Sequence, residues 1–161
     1  MKKQQKGFSL IELLIVVAII LIIAAIAIPN LLRSKMAANE ASAVGSLRTL
    51  NTACVTYSTT YTTYPANLTN MAPAATASSA AADLIDSVLA GTAGNTSSKS
   101  GYNFTYTAGT ADAAGNINSY TLQAAPVSAN TGIRTFFTDQ SGVIRADATG
   151  TQATAASTPI S

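Results

Sequence analysis

From Leu13 to Ile28 the chain carries no polar side chain, and no charged residue occurs until Arg33. A run of this kind must be covered by protein or by lipid. Taken with the residues before it, Phe8 to Ile28 makes a helix of about 31 Å at 1.5 Å per residue. The hydrocarbon core of a bilayer is about 30 Å thick, so the segment is long enough to span. Lys2, Lys3 and Lys6 precede it and favour a cytoplasmic N-terminus; Arg33 and Lys35 on the far side oppose that weakly.

Glu12 interrupts the start of this run. A carboxylate in a membrane helix costs on the order of 2.5–3.5 kcal/mol on insertion scales. Two readings stand. Glu12 lies near the headgroups and snorkels, or it awaits a partner such as an amino group. The N-terminus as a whole reads either as a membrane anchor or as a secretory signal peptide cut after Ala27, since Ala25-Ile26-Ala27 fits an A-x-A site. Against the signal peptide, the apolar stretch exceeds the usual length of about 7–15 residues, and Glu12 lies within its start.

The segment Lys6-Gly7-Phe8-Ser9-Leu10-Ile11-Glu12-Leu13, with its basic leader, the long apolar run and Pro29, resembles the prepilin motif of type IV pilins and type II secretion pseudopilins. The close resemblance extends over roughly residues 6–35. It implies that residues 1–7 are a leader peptide, removed between Gly7 and Phe8 by a prepilin peptidase. It further implies N-methylation of Phe8, with residues 8–28 kept as membrane anchor and later as filament core. Glu12 and Pro29 become the assembly residues. The implied partners are further copies of the chain in a helical filament, the peptidase, the membrane, and an inner-membrane assembly platform with a separate ATPase. Nucleic acid enters only through the assembled pilus. The implied location is the inner membrane, then an extracellular pilus, supporting adhesion, twitching motility or DNA uptake. A pseudopilin of a type II secretion system is the alternative within the family. A secreted soluble binding protein, cut after Ala27, is the alternative outside it.

Pro29 cannot donate to the carbonyl of Ala25, and its ring clashes there, at about 3 kcal/mol in a helix interior. A kink or a break is expected at that point, with the helix resuming beyond it. Ala43, Leu47, Leu50, Cys54, Tyr57, Tyr61 and Tyr64 then fall at spacings of four and three, one apolar stripe that seats the helix on a globular head. Tyrosines so spaced also suit an electron-transfer ladder, but core packing is the commoner use of such a stripe. Pro65 is expected to end the helix.

In the second half, Leu84, Ile85, Val88 and Leu89 predict a short helix over about 80–90, with Ser79 as N-cap and Gly91 as stop. Residues 91–101 read as an exposed loop. The period then changes to two. Tyr102 to Thr107, Ser119 to Ala125, Ile133 to Thr138 and Val143 to Ala146 predict four antiparallel strands separated by turn residues. The tail from Asp147 onward has no assignable structure. The expected fold is α+β: a long N-terminal, transmembrane helix (8–64) packed on a small antiparallel sheet head (65–161, including an αβ-loop), the type IV pilin plan.

Composition narrows the chemistry. With no His, the commonest general base and metal ligand is missing. With one Cys there is neither an intrachain disulfide nor a Cys/His zinc site. A net charge of +2, with three of nine cations in the first six residues, does not suit a strongly basic nucleic-acid binder. No Walker loop occurs. Asp112 to Asn118 comes nearest to a calcium loop and reads better as a hairpin turn. Asp83 and Asp86 suit one helix face, and Lys99 a solvated loop. Asn67, Asn95 and Asn103 head N-x-S/T triplets that this composition produces by chance. No enzyme, cofactor or metal site is expected.

Overall fold

The computed structural model describes residues 7–92 and 94–160, so Lys2, Lys3, Lys6 and the rest of the expected leader before Gly7 lie outside the described residues. The chain divides into two compact units, Met1–Lys35 and Met36–Ser161. One helix, α1 (Leu10–Tyr61), contributes to both. It runs through Pro29 without interruption, so the expected break does not occur. The proline costs the helix one hydrogen bond, and helical backbone continues on both sides of it.

In the first unit the side chains of α1 face outward. Phe8 is 81% exposed, and every large apolar residue from Leu10 to Leu32 is exposed. The helix is long and apolar enough to cross a membrane, and none of its most apolar window is buried.

In the second unit α1 packs on a six-stranded antiparallel sheet in simple meander order: β1 (Thr96–Lys99), β2 (Tyr102–Ala108), β3 (Tyr120–Pro126), β4 (Thr135–Asp139), β5 (Arg145–Asp147) and β6 (Thr158–Pro159). Alternation decides the faces. Tyr102, Phe104 and Tyr106 of β2 are buried, as are Tyr120, Leu122 and Ala124 of β3. The register sets Phe104 opposite Ala124 and Tyr106 opposite Leu122, while Phe136 and Thr138 of β4 continue that face. Against it lies the helical stripe: Ala43, Leu47, Leu50, Cys54 and Tyr57 are buried, with Tyr61 and Tyr64 partly so. Each apolar face thus covers the other, which is what a two-layer domain requires.

One buried polar group crosses this interface. Asn51 donates to Thr138 Oγ1 at 2.9 Å and accepts from Tyr120 Oη at 3.1 Å, so its amide is satisfied inside the core. Tyr106 Oη donates to the Pro65 carbonyl, Tyr57 Oη to that of Ser79 and Tyr102 Oη to that of Arg134. These tyrosine hydroxyls end on carbonyl oxygens, which cannot take a proton. Tyr57, Tyr102 and Tyr106 thus pack in the core with their hydroxyls held on carbonyls. Burial also pushes the Cys54 thiol up to about 12, so it is an inert core group.

Four local expectations need correction. The helix α1 ends at Tyr61, before Pro65, because Thr62 takes a left-handed conformation (φ 61°) and its N–H closes on the Ser58 carbonyl. The expected helix over 80–90 shrinks to α2 (Ser87–Ala90), capped by Asp86, not Ser79. A helix over 80–90 would need the amides of Asp83, Leu84 and Ile85 for the carbonyls one turn back, but they are spent on the carbonyls of Ala72 and Met71. Asp83 accordingly sits before the helix, and Asp83 and Asp86 share no helix face. The loop expected at 91–101 contains strand β1, whose Lys99 pairs with Asp86 at 2.9 Å.

The tail is ordered as a strap over the outer face of the sheet. Ala153 is fully buried, its N–H donates to Thr135 Oγ1, and Thr135 in turn donates to the Thr151 carbonyl. Arg145 reaches the Ser157 carbonyl, and Ile160 N–H bonds the Ile144 carbonyl. This cover explains why Phe137, on the face away from α1, is buried.

Candidate functional site

The residues singled out in the sequence lie along the first unit. Gly7, Phe8 and Ser9 are non-helical and exposed, and α1 begins at Leu10. The Gly7–Phe8 peptide bond therefore sits in open backbone just ahead of a rigid helix. A Cβ placed on Gly7 would meet nothing within 4 Å. Among the described residues, no packing demands a glycine there.

Glu12 lies in the first turn of α1, and its Oε2 accepts from the Ser9 N–H at 2.9 Å. The Leu13 N–H bonds back to the Ser9 carbonyl at 3.2 Å. Ser9 is thus the N-cap, and Glu12 supplies the return arm of a capping box. The carboxylate satisfies one of the helix's unpaired first amides and lies at the positive end of its dipole. Neither sequence reading of Glu12, snorkelling or awaiting an amino group, included this backbone partner. The signal was present as Ser9-x-x-Glu12 immediately before an apolar run.

Pro29 sits exposed within the helix, beyond the apolar run. The carbonyl of Ala25 loses its usual donor there. Glu12 and Pro29 stand roughly four to five helical turns apart, so they act as separate stations along one rod.

In the head, charged groups fasten elements together. Glu40 of α1 accepts from the Ile133 and Arg134 amides at 3.1 and 3.2 Å and from Arg134 Nε at 2.8 Å. Partial burial raises the Glu40 pKa, but the Arg134 side chain and the two amides together outweigh it and hold the carboxyl below its ordinary value. Asp86 is also held low, chiefly by Lys99 and then by the Leu89 amide. Asp112 caps its own turn, accepting from the amides of Ala114 and Asn116 and from Asn118 Nδ2. The segment Asp112 to Asn118 is therefore a hairpin turn closed on itself, bridged at Ala111 and Ile117. Among the described residues, no three His, Cys, Asp or Glu side chains gather as a metal site. A surface groove of about 610 Å³ runs between β5 and the strap, lined by Arg134, Asp147, Thr154 and Ser157 among others.

Residues 2–28 match the family profile of the prokaryotic N-terminal methylation motif. The chain is 52% identical over 58 residues to a type IV major fimbrial protein of Dichelobacter nodosus, covering 34% of this chain and 37% of that protein. It is 60% identical over 38 residues to the type IV wide pilus major component of Thermus thermophilus, covering 24% and 29%. It is 50% identical over 50 residues to the type IV major pilin protein of Myxococcus xanthus, covering 31% and 23%. The chain thus matches well under half the length of these curated relatives. No solved structure matches it significantly.

Proposed function

We propose that this chain is a type IV pilin, a structural subunit of a helical surface filament and not an enzyme. The observation that carries the reading is the methylation motif at residues 2–28, joined to an open Gly7–Phe8 backbone and an apolar helix left exposed among the described residues. Prepilin peptidase cuts between Gly7 and Phe8, and Phe8 becomes the methylated N-terminus. Helix residues up to Ile28 hold the subunit in the inner membrane. They later exchange lipid for the same helix of neighbouring copies, with Glu12 and Pro29 serving assembly. A platform and a separate ATPase supply the work, and the fibre serves adhesion, motility or DNA uptake. The ordinary signal peptide fits less well. Its site, Ala25-Ile26-Ala27, lies inside the continuous helix, where a peptidase has no extended backbone to grip. The test is mass spectrometry of the subunit in filaments sheared from cells. A chain beginning at N-methylated Phe8 is expected, and a chain beginning at Ile28 would overturn the reading.

A further inference from the structure

We infer that the loop joining β3 to β4, residues 127–134, is a foot by which the head rests on the lipid headgroups while the subunit is anchored in the bilayer. The inference rests on the membrane-anchor reading above. Val127 and Ile133 are 54% and 55% exposed, the two large apolar side chains in a loop otherwise made of Ser128, Ala129, Asn130, Thr131 and Gly132 before Arg134.

The loop is fixed at the end of the head where the chain arrives from the anchor. Asn39 Nδ2 donates to the Thr131 carbonyl at 2.9 Å, and Glu40 takes the amides of Ile133 and Arg134. Val127 N–H bonds the Gly101 carbonyl, and Ser42 bonds Ser100, so the β1–β2 turn belongs to the same end. Asn39 is only four residues past Lys35. Because both flanks of the loop are pinned, its aliphatic side chains are held outward instead of folding back onto the core.

The charges suit an anionic lipid surface. Arg33 and Lys35 precede this end, and basic residues beside a membrane helix attract anionic headgroups. Glu40, which would oppose them, is neutralised by Arg134. Asp147, whose strand pairs at Thr135, is turned onto the N–H and hydroxyl of Thr149. Asp86, near the β1–β2 turn, is paired with Lys99, while Asp112, in the turn bonded to Thr63 and Tyr64, and Asp139, in the turn beside Asn51–Thr56, lie toward the other end. Two aliphatic side chains gain from the headgroup boundary, and the head is oriented before any neighbour is met.

Cys54 is buried, so an introduced cysteine can be labelled alone. The full chain is reconstituted in vesicles of phosphatidylethanolamine and phosphatidylglycerol, labelled with an environment-sensitive fluorophore in Ile133→Cys, Val127→Cys, Ser141→Cys or Ile19→Cys. Headgroup-linked and acyl-linked spin-labelled lipids are the quenchers. Headgroup quenching several-fold stronger at residues 127 and 133 than at 141 is expected, with acyl quenching at residue 19. Equal headgroup quenching at 133 and 141, with residue 19 quenched, overturns the foot and leaves the anchor standing. Labels at 127 and 133 that are shielded in sheared filaments yet unquenched in vesicles overturn it in favour of a second copy of the chain. An unquenched residue 19 overturns the anchor reading and the foot with it.

Discussion

Among the described residues nothing packs against Gly7, so a requirement for glycine there is expected only if the proposed peptidase imposes it. A peptidase that draws the backbone of Gly7 against its catalytic groups excludes a branched side chain there. Gly7→Val is expected to leave the leader attached and the protein in the membrane; mature-sized protein on a gel would sink the assignment. Inside the head, Asn51 carries a different obligation. In Asn51→Leu the hydroxyls of Thr138 and Tyr120 lose their shared partner in a dry interface. Each unsatisfied buried group costs about 1–3 kcal/mol, so a loss of about 2–6 kcal/mol in denaturant unfolding is expected. Glu40 gives the head a pH dependence whose sign follows from its lowered pKa. The unfolded carboxyl takes up protons first as pH falls, so the contribution is present above its ordinary pKa near 4.5 and is lost as pH drops through the folded value. Glu40→Gln is expected to flatten the acid limb of a stability-against-pH curve, and an unchanged limb would show that the clasp to Arg134 contributes nothing.

At the level of elements, α1 meets its proline without breaking. Packing along the head half and strong propensity on both sides absorb a penalty of about 3 kcal/mol. Pro29→Ala therefore stiffens the helix and does not lengthen it. Amide exchange around residues 25–33 should slow while overall helix content barely changes. If local unwinding is part of assembly, filaments should become scarcer or altered in dimensions; unchanged filaments would reduce Pro29 to a tolerated irregularity. The elements legible in the sequence are those with a strong period: the apolar run, the stripe from Ala43 to Tyr64, and strands β2 and β3, where aromatic and polar residues alternate. Strand β1 was illegible because Thr96-Ser97-Ser98-Lys99 has no apolar face, and pairing with β2 alone makes it a strand. The helix over 80–90 failed for the converse reason: its spacing was right, but tertiary carbonyls had claimed the amides it needed. The strap over Phe137 is held by Thr135 and Arg145 reaching backbone carbonyls, contacts that leave no pattern in composition. At the candidate site the sequence singles out Gly7, Phe8, Glu12 and Pro29 as a linear motif, and the Ser9 bond to Glu12 was the part left unread.

The two units pose opposite problems at the scale of the molecule: the head satisfies its apolar faces internally, while the stem offers its whole circumference to something else. Leucine and isoleucine contacts between such stems tolerate slippage along the axis, so apolar packing alone does not set one subunit's height against the next. Glu12 can set it. Its carboxylate is held by the Ser9 amide, which would lower the cost of keeping it in the proposed anchor. The proposed cleavage after Gly7 would place a positive amine on Phe8, next to that amide. A neighbour displaced along the axis can bring its Phe8 amine to the free oxygen of Glu12, and the low dielectric of an apolar core makes the attraction strong, although desolvation offsets much of it. Glu12→Ala removes this register mark and makes the stem more hydrophobic. The variant is therefore expected to insert and be cleaved normally, yet give far fewer filaments. A Glu12 that merely snorkels to the headgroups predicts normal or improved assembly of the same variant. Quantifying processed subunit in membranes beside the yield of sheared filaments separates the two, and abundant filaments of ordinary dimensions from Glu12→Ala would end the pairing role.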